Sequence, residues 1–187
     1  MRNLYLIRHG TPDFPMGIKQ CIGRTEIDIG KEGIEEAKKL ANFFREKRIE
    51  AIYSSPLTRC IHTAEILSEG KKEILIHDDL AEIYMGHWEG VPLKNIKKNL
   101  GDEPIYGEKR VDALVRFEGA LKDIMEKTSG DVICVAHAGV NCAFIAKTRG
   151  EDIKISRAIK QPCASYNRFE YDGKKFIAKE IGCIPKE

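Results

Sequence analysis

Apolar residues along this chain follow two kinds of pattern. Short continuous runs at Leu4 to Ile7, Ala51 to Ser54, Ile74 to Ile76 and Asp131 to Ala136 are too brief for stable helices and read as buried strands. Between them, apolar positions recur at helical spacing with charged residues on the opposite face. Ile34, Ala37, Leu40, Ala41 and Phe44 predict a helix from Lys31 to near Lys47, and Leu57, Cys60, Ile61, Ala64 and Leu67 predict a second. Ser55-Pro56 has the form of its N-cap followed by proline at the first helical position. Val111, Leu114, Val115, Phe117, Leu121, Ile124 and Met125 predict a third helix ending near Thr128, and Val140 to Lys147 a fourth. Ile153 to Ile159 also looks helical, Pro92 to Leu100 is a candidate short helix, and Ser165 to Ile181 reads as a closing hairpin turning at Asp172-Gly173.

Strands alternating with helices predict an α/β fold, a three-layer α/β/α sandwich with a mostly parallel central sheet. No repeat, low-complexity tract or composition break divides the chain, so its 187 residues are expected to form a single domain, 1–187. Two stretches stand out as structured loops. One runs from Arg8 to Gly30, with Pro12, Pro15, Gly17 and Gly23 and no helical period; the other runs from Asp78 to Gly90 and holds the only tryptophan, Trp88.

Composition narrows the classes of function. The chain is 42% hydrophobic and 32% charged, with 31 basic against 29 acidic residues, so no strong global field points to nucleic acid. No apolar run approaches a transmembrane length and the start lacks the sections of a signal peptide, so no membrane partner and a cytoplasmic location are expected. The six cysteines are scattered without a C-x-x-C pair, and reduced structural thiols fit best. No zinc-type ligand spacing and no H-E-x-x-H occur, so neither a metal nor another cofactor is expected.

Chemistry gathers at strand ends. The first strand ends on Arg8-His9-Gly10 and a later one on His137-Ala138-Gly139, while Arg59 falls in the first turn of a helix that follows a strand. Alone, Arg8-His9-Gly10 reads equally as a strand turning polar on reaching water, and Arg59 as a solvated surface residue. Ligands of open α/β sheets bind beyond the carboxyl ends of the strands, so the four side chains converge on one edge in the predicted layout. Two arginines and two histidines repel one another as a structural cluster but suit a dianion such as phosphate.

These residues resemble the histidine phosphatase superfamily, also called phosphoglycerate mutase-like. Arg8-His9-Gly10 is similar to its R-H-G signature, Ser54 to Glu65 to its second block, Leu80 to Gly90 to an L-x-E-x-x-x-G-x-W-E-G block, and Val135 to Gly139 to its late histidine block. The resemblance implies His9 as the nucleophile of a phosphohistidine intermediate. It implies Arg8, Arg59 and His137 as ligands of the phosphoryl oxygens, and Glu82 as the acid that protonates the leaving oxygen and then activates water. Of the other candidates, Glu89 is read as a structural hydrogen-bonding residue of its loop, and His62 and His77 as surface residues; His87 is left open beside Glu82.

The chain departs from the family pattern after Gly10, where Thr11-Pro12-Asp13 replaces the usual Glu-Thr and a later phosphate-contacting Asn is missing. Thr11 is the candidate to supply a hydroxyl in its place. The W-E-G form of the Glu82 block and the short stretch from Gly90 to Val111 resemble the phosphatases, such as α-ribazole phosphatase and broad-specificity phosphatases, more than the mutases. The expected function is therefore metal-independent hydrolysis of a small phosphorylated substrate. Mutase-type phosphoryl transfer, a protein phosphohistidine phosphatase and a non-catalytic phospho-ligand module are the alternatives, and oligomeric state is open.

Overall fold

A computed structural model describes residues 1–99 and 101–185. Six strands, β1 (Arg2–Arg8), β2 (Ile49–Ser54), β3 (Ile74–Ile76), β4 (Asp131–Ala136), β5 (Tyr166–Tyr171) and β6 (Phe176–Cys183), form one sheet in the order β3-β2-β4-β1-β5-β6. The β3, β2, β4 and β1 strands are mutually parallel, whereas β5 is antiparallel to β1 and β6 antiparallel to β5. The principal helices are α1 (Lys31–Phe44), α2 (Thr58–Ser68), α3 (Arg110–Lys127) and α4 (Ala138–Thr148).

The alternation of side chains along a strand assigns the helices to layers. Leu4 and Leu6 of β1, with Val132 and Cys134 of β4, pack under Phe117, Leu121 and Phe144 of α3 and α4. Tyr5, Ile7, Ile133 and Val135 face the other way and meet Leu40 and Phe44 of α1 and Cys60, Ala64 and Leu67 of α2. The result is the expected three-layer α/β/α sandwich. β1 and β4 are buried on both faces, which accounts for their unbroken apolar runs.

Three local expectations change. The second helix starts at Thr58 with Leu57 as its N-cap and no side-chain cap bond. Ser55 is not the cap, because its hydroxyl is spent 2.7 Å from Nε2 of His137. Pro92 to Leu100 yields a single 3-10 turn, Leu93–Asn95, with Leu100 outside the described residues, and Ile153–Ala158 is 3-10 rather than α-helical. Among the described residues no helix is long and apolar enough to cross a membrane.

Sheet register positions the site. Arg8 pairs with Ala136 and Ser54 with Val135, so β1, β4 and β2 end level with one another. His9, His137 and Ser55 are therefore the first residues beyond three neighbouring parallel strands.

Candidate active site

His9 is buried, and its backbone amide still donates to the Ala136 carbonyl at 3.1 Å, continuing the β1–β4 ladder. Its Nδ1 lies 2.8 Å from the carbonyl oxygen of Gly10. A carbonyl only accepts, so Nδ1 carries the proton and Nε2 carries the lone pair. Burial, then the charges of Arg59 and Arg8, hold the imidazole well below its ordinary pKa despite the opposing bond to Gly10. The ring is thus a neutral base of fixed tautomer beside two cations. Gly10 is required by packing, since a Cβ there would come within 2.6 Å of the Gly33 carbonyl oxygen at the start of α1. The Gly10 amide donates to Thr63 Oγ1 at 3.1 Å, which ties this turn to α2.

His137 lies edge-on to His9, with ring centroids 5.2 Å apart. Burial and the charges of Arg59, His9 and Arg8 lower its pKa as well, so the pair coexists without mutual repulsion. Ser55 bonds its Nε2, and the Cys60 thiol approaches at 3.4 Å while donating to the Ala136 carbonyl.

Arg59 has no solvent exposure. Its guanidinium donates to the carbonyls of Thr25 at 2.9 Å, Gly23 at 2.6 Å and Ile22 at 3.3 Å, so the loop after β1 wraps the cation. Arg8 donates from Nη1 to the Gln161 carbonyl. In both arginines Nε is buried with no hydrogen-bond partner among the described residues. Each orphan donor of this kind costs about 1–3 kcal/mol until an acceptor arrives.

Glu82 is buried at the N-terminus of α4. Its Oε2 accepts from the Gly139 amide at 2.8 Å, and its Oε1 from the amides of Val140 at 3.1 Å and Ile83 at 2.9 Å. The first-turn amides of a helix lack intrahelical acceptors, and the carboxylate supplies them. Gly139 makes this approach possible, because a Cβ would sit 2.5 Å from Oε1. Arg116 of α3 fixes the backbone around it, donating to the carbonyls of Asp79, Ala81 and Glu82 while paired with Glu108 at 2.6 Å.

The remaining candidates have other partners. Glu89 accepts from the amides of Arg24, Thr25 and Met85 and from the Thr25 hydroxyl, tying together the two loops. Thr11 gives both its amide and its hydroxyl to Glu36 of α1, at 2.7 and 3.0 Å. Its hydroxyl proton is thus committed to Glu36, and toward the cleft the hydroxyl offers an acceptor. His62 pairs with Asp28 at 3.0 Å, His77 receives the Asp79 amide, and His87 contacts the Ile105 carbonyl. Sequence reasoning missed Arg116 and Glu108, because one arginine on an amphipathic helix carries no local signal.

A cleft of about 540 Å³ opens over His9, Arg8 and Glu82, and a cavity of about 790 Å³ adjoins it, sharing Arg8, Glu82, Leu93 and Ala138 as walls. Such volumes suit small ligands. Among the described residues no group of three or more His, Cys, Asp or Glu is placed to hold a metal.

Known proteins resemble this chain along most of its length. The chain is 28% identical to the uncharacterized phosphatase PhoE of Bacillus subtilis (strain 168), over 90% of this chain and 89% of that one. It is 27% identical to phosphoserine phosphatase 1 of Hydrogenobacter thermophilus (strain DSM 6534 / IAM 12695 / TK-6), over 97% and 92%. Its fold superposes on Bacillus stearothermophilus YhfR with a TM-score of 0.88, covering 97% of each chain at 24% identity. Residues 4–184 match the family model of the histidine phosphatase superfamily (branch 1), and the chain belongs to that superfamily.

Proposed function

We propose that this protein hydrolyses small phosphomonoesters through a phosphohistidine formed on His9. The observation that carries the reading is the His9 environment. A neutral imidazole, its tautomer set by Gly10, stands in a cleft beside two arginines that each hold a buried Nε–H without an acceptor among the described residues. A phosphoryl group placed against Nε2 brings acceptors to those donors.

In the first half-reaction the Nε2 lone pair attacks phosphorus in line. The N–P bond forms as the ester P–O bond breaks, and Glu82 gives a proton to the leaving oxygen. Arg8, Arg59 and His137 receive the oxygens over which charge spreads, and donors fixed in advance lower the barrier. In the second half-reaction water attacks phosphorus while Glu82 takes its proton. The N–P bond then breaks, inorganic phosphate leaves, and His9 and protonated Glu82 are restored. Supply of the stabilising charge by arginines supports a reaction that needs no metal.

The phosphatase names of the full-length relatives support hydrolysis over mutase-type transfer. The test is turnover of p-nitrophenyl phosphate in the presence of a chelator, by wild type and by His9→Ala. Turnover by wild type that is lost in the variant is expected. Equal turnover by both, or none by wild type, would overturn the reading.

A further inference from the structure

Ser55 touches no part of the cleft, yet its hydroxyl is spent on a ring that does the binding. The residue is fully buried, and its amide donates to the Val135 carbonyl at 2.9 Å, carrying the β2–β4 ladder one residue past the end of β2. The hydroxyl oxygen lies 2.7 Å from Nε2 of His137. The Leu57 amide donates to the same oxygen at 3.4 Å, so one hydroxyl lone pair already faces a donor.

The hydroxyl hydrogen then needs an acceptor, and two are within reach. One is Nε2 of His137; the other is the sulfur of Cys60, which lies beside both the hydroxyl and Nε2. Sulfur accepts weakly, whereas the lone pair of a neutral imidazole accepts well. Cys60 gives its own hydrogen to the Ala136 carbonyl at 3.4 Å, and burial pushes its thiol up in pKa, so no thiolate stands beside the ring to favour an imidazolium. Burial of His137, followed by the charges of Arg59, His9 and Arg8, likewise opposes a second ring proton.

A neutral imidazole that accepts at Nε2 carries its single hydrogen on Nδ1. Among the described residues the only hydrogen-bonding neighbour of Nδ1 is the Cys60 sulfur, at 3.8 Å. We propose that Ser55 is a positioning residue: by donating to Nε2 it holds His137 as the neutral Nδ1–H tautomer, so that the ring offers the phosphoryl group a donor. The opposite tautomer would turn a lone pair toward an anion and repel it. His9 and His137 are then locked in the same tautomer by different partners, one by a carbonyl that accepts from Nδ1 and the other by a hydroxyl that donates to Nε2. For His9 the lock frees a lone pair for attack; for His137 it frees an N–H for binding. The consequence for rate rests on the phosphatase reading above, whereas the tautomer does not.

Long-range proton–nitrogen correlation NMR on protein carrying ring-labelled histidine reads the tautomer at about pH 7, and His137→Asn identifies the His137 signals by their loss. Wild type is expected to show a protonated Nδ1 and an unprotonated Nε2 at His137. Ser55→Ala is expected to move the ring toward the Nε2–H form and to lower kcat/KM on p-nitrophenyl phosphate by about tenfold. A purely structural role would lower activity without moving the tautomer. Wild type in the Nε2–H form, or with both nitrogens protonated, overturns the proposal, and that spectrum decides without any substitution. A tautomer unchanged in folded Ser55→Ala, or a changed tautomer with kcat/KM within about twofold of wild type, overturns the role of Ser55. Absence of turnover in wild type overturns the phosphatase reading and the consequence for rate with it, while the spectrum still decides the tautomer.

Discussion

Gly139→Ala places a single methyl group against the proposed acid and base. The new Cβ would lie 2.5 Å from Glu82 Oε1 and 3.0 Å from Cδ. Ordinary non-bonded contact requires roughly 3.5 Å, so the carboxylate must retreat by about 1 Å. That movement stretches the bonds from the Gly139 and Val140 amides, now 2.8 and 3.1 Å. The backbone itself accepts alanine, because Gly139 has no positive φ and lies in the first turn of α4. Misplacing a catalytic group by about 1 Å costs on the order of 10²-fold in rate, equivalent to about 2.7 kcal/mol of barrier. The loss should fall chiefly on attack by water, since p-nitrophenolate leaves readily without a proton. Stopped-flow turnover of p-nitrophenyl phosphate should therefore show a burst approaching one product per site, followed by a steady rate about 10²-fold below wild type. A steady rate within about twofold of wild type would refute the role of Glu82, and so would a slow rate with no burst.

The two buried histidines make stability depend on pH. The unfolded chain binds a proton at each imidazole as pH falls through about 6.5, while the folded state, with both pKa values depressed, does not. Their contribution is therefore complete above that pH and declines below it by about 1.4 kcal/mol per pH unit for each histidine, until the folded values are reached. Urea unfolding at about pH 7.5 and about pH 5.5 measures it: His137→Asn should weaken the dependence, and an unchanged midpoint in wild type would contradict it. Glu89→Ala removes the acceptor of the Arg24, Thr25 and Met85 amides and loosens the loop whose carbonyls hold Arg59. It should cost about 1–3 kcal/mol in urea unfolding and raise KM more than it lowers kcat, whereas a pure loss of kcat would place Glu89 in the chemistry instead.

Much of this architecture is legible in the residues because its signals are local. β1 and β4 are buried on both faces, so each appears as an unbroken apolar run ending on the residues that matter, Arg8-His9 and His137. The amphipathic period of α1 and α3 locates those helices to within a few residues. What local pattern misses is contact across the fold. Ser55 looks like a helix cap, and only the register of β2 against β4 brings its hydroxyl to His137 instead. Thr11 offers a hydroxyl in the sequence, and only the fold shows that Glu36 of α1 takes its proton. Arg116 holds the carbonyls around Glu82 from 34 residues further along the chain. Pro92 to Leu100, a candidate helix in the sequence, gives only the 3-10 turn Leu93–Asn95 among the described residues, and that turn buries none of its side chains.

The claim on which the account depends is the covalent one: a phosphoryl group bound to Nε2 of His9. Rapid acid quench is too harsh for a phosphoramidate, so the measurement is alkaline quench of a reaction with labelled p-nitrophenyl phosphate, followed by peptide mapping. Alkali-stable, acid-labile label is expected on the peptide containing His9 in wild type, with accumulation in Gly139→Ala and absence in His9→Ala. Turnover without label in either wild type or Gly139→Ala, or label retained in His9→Ala, would contradict it.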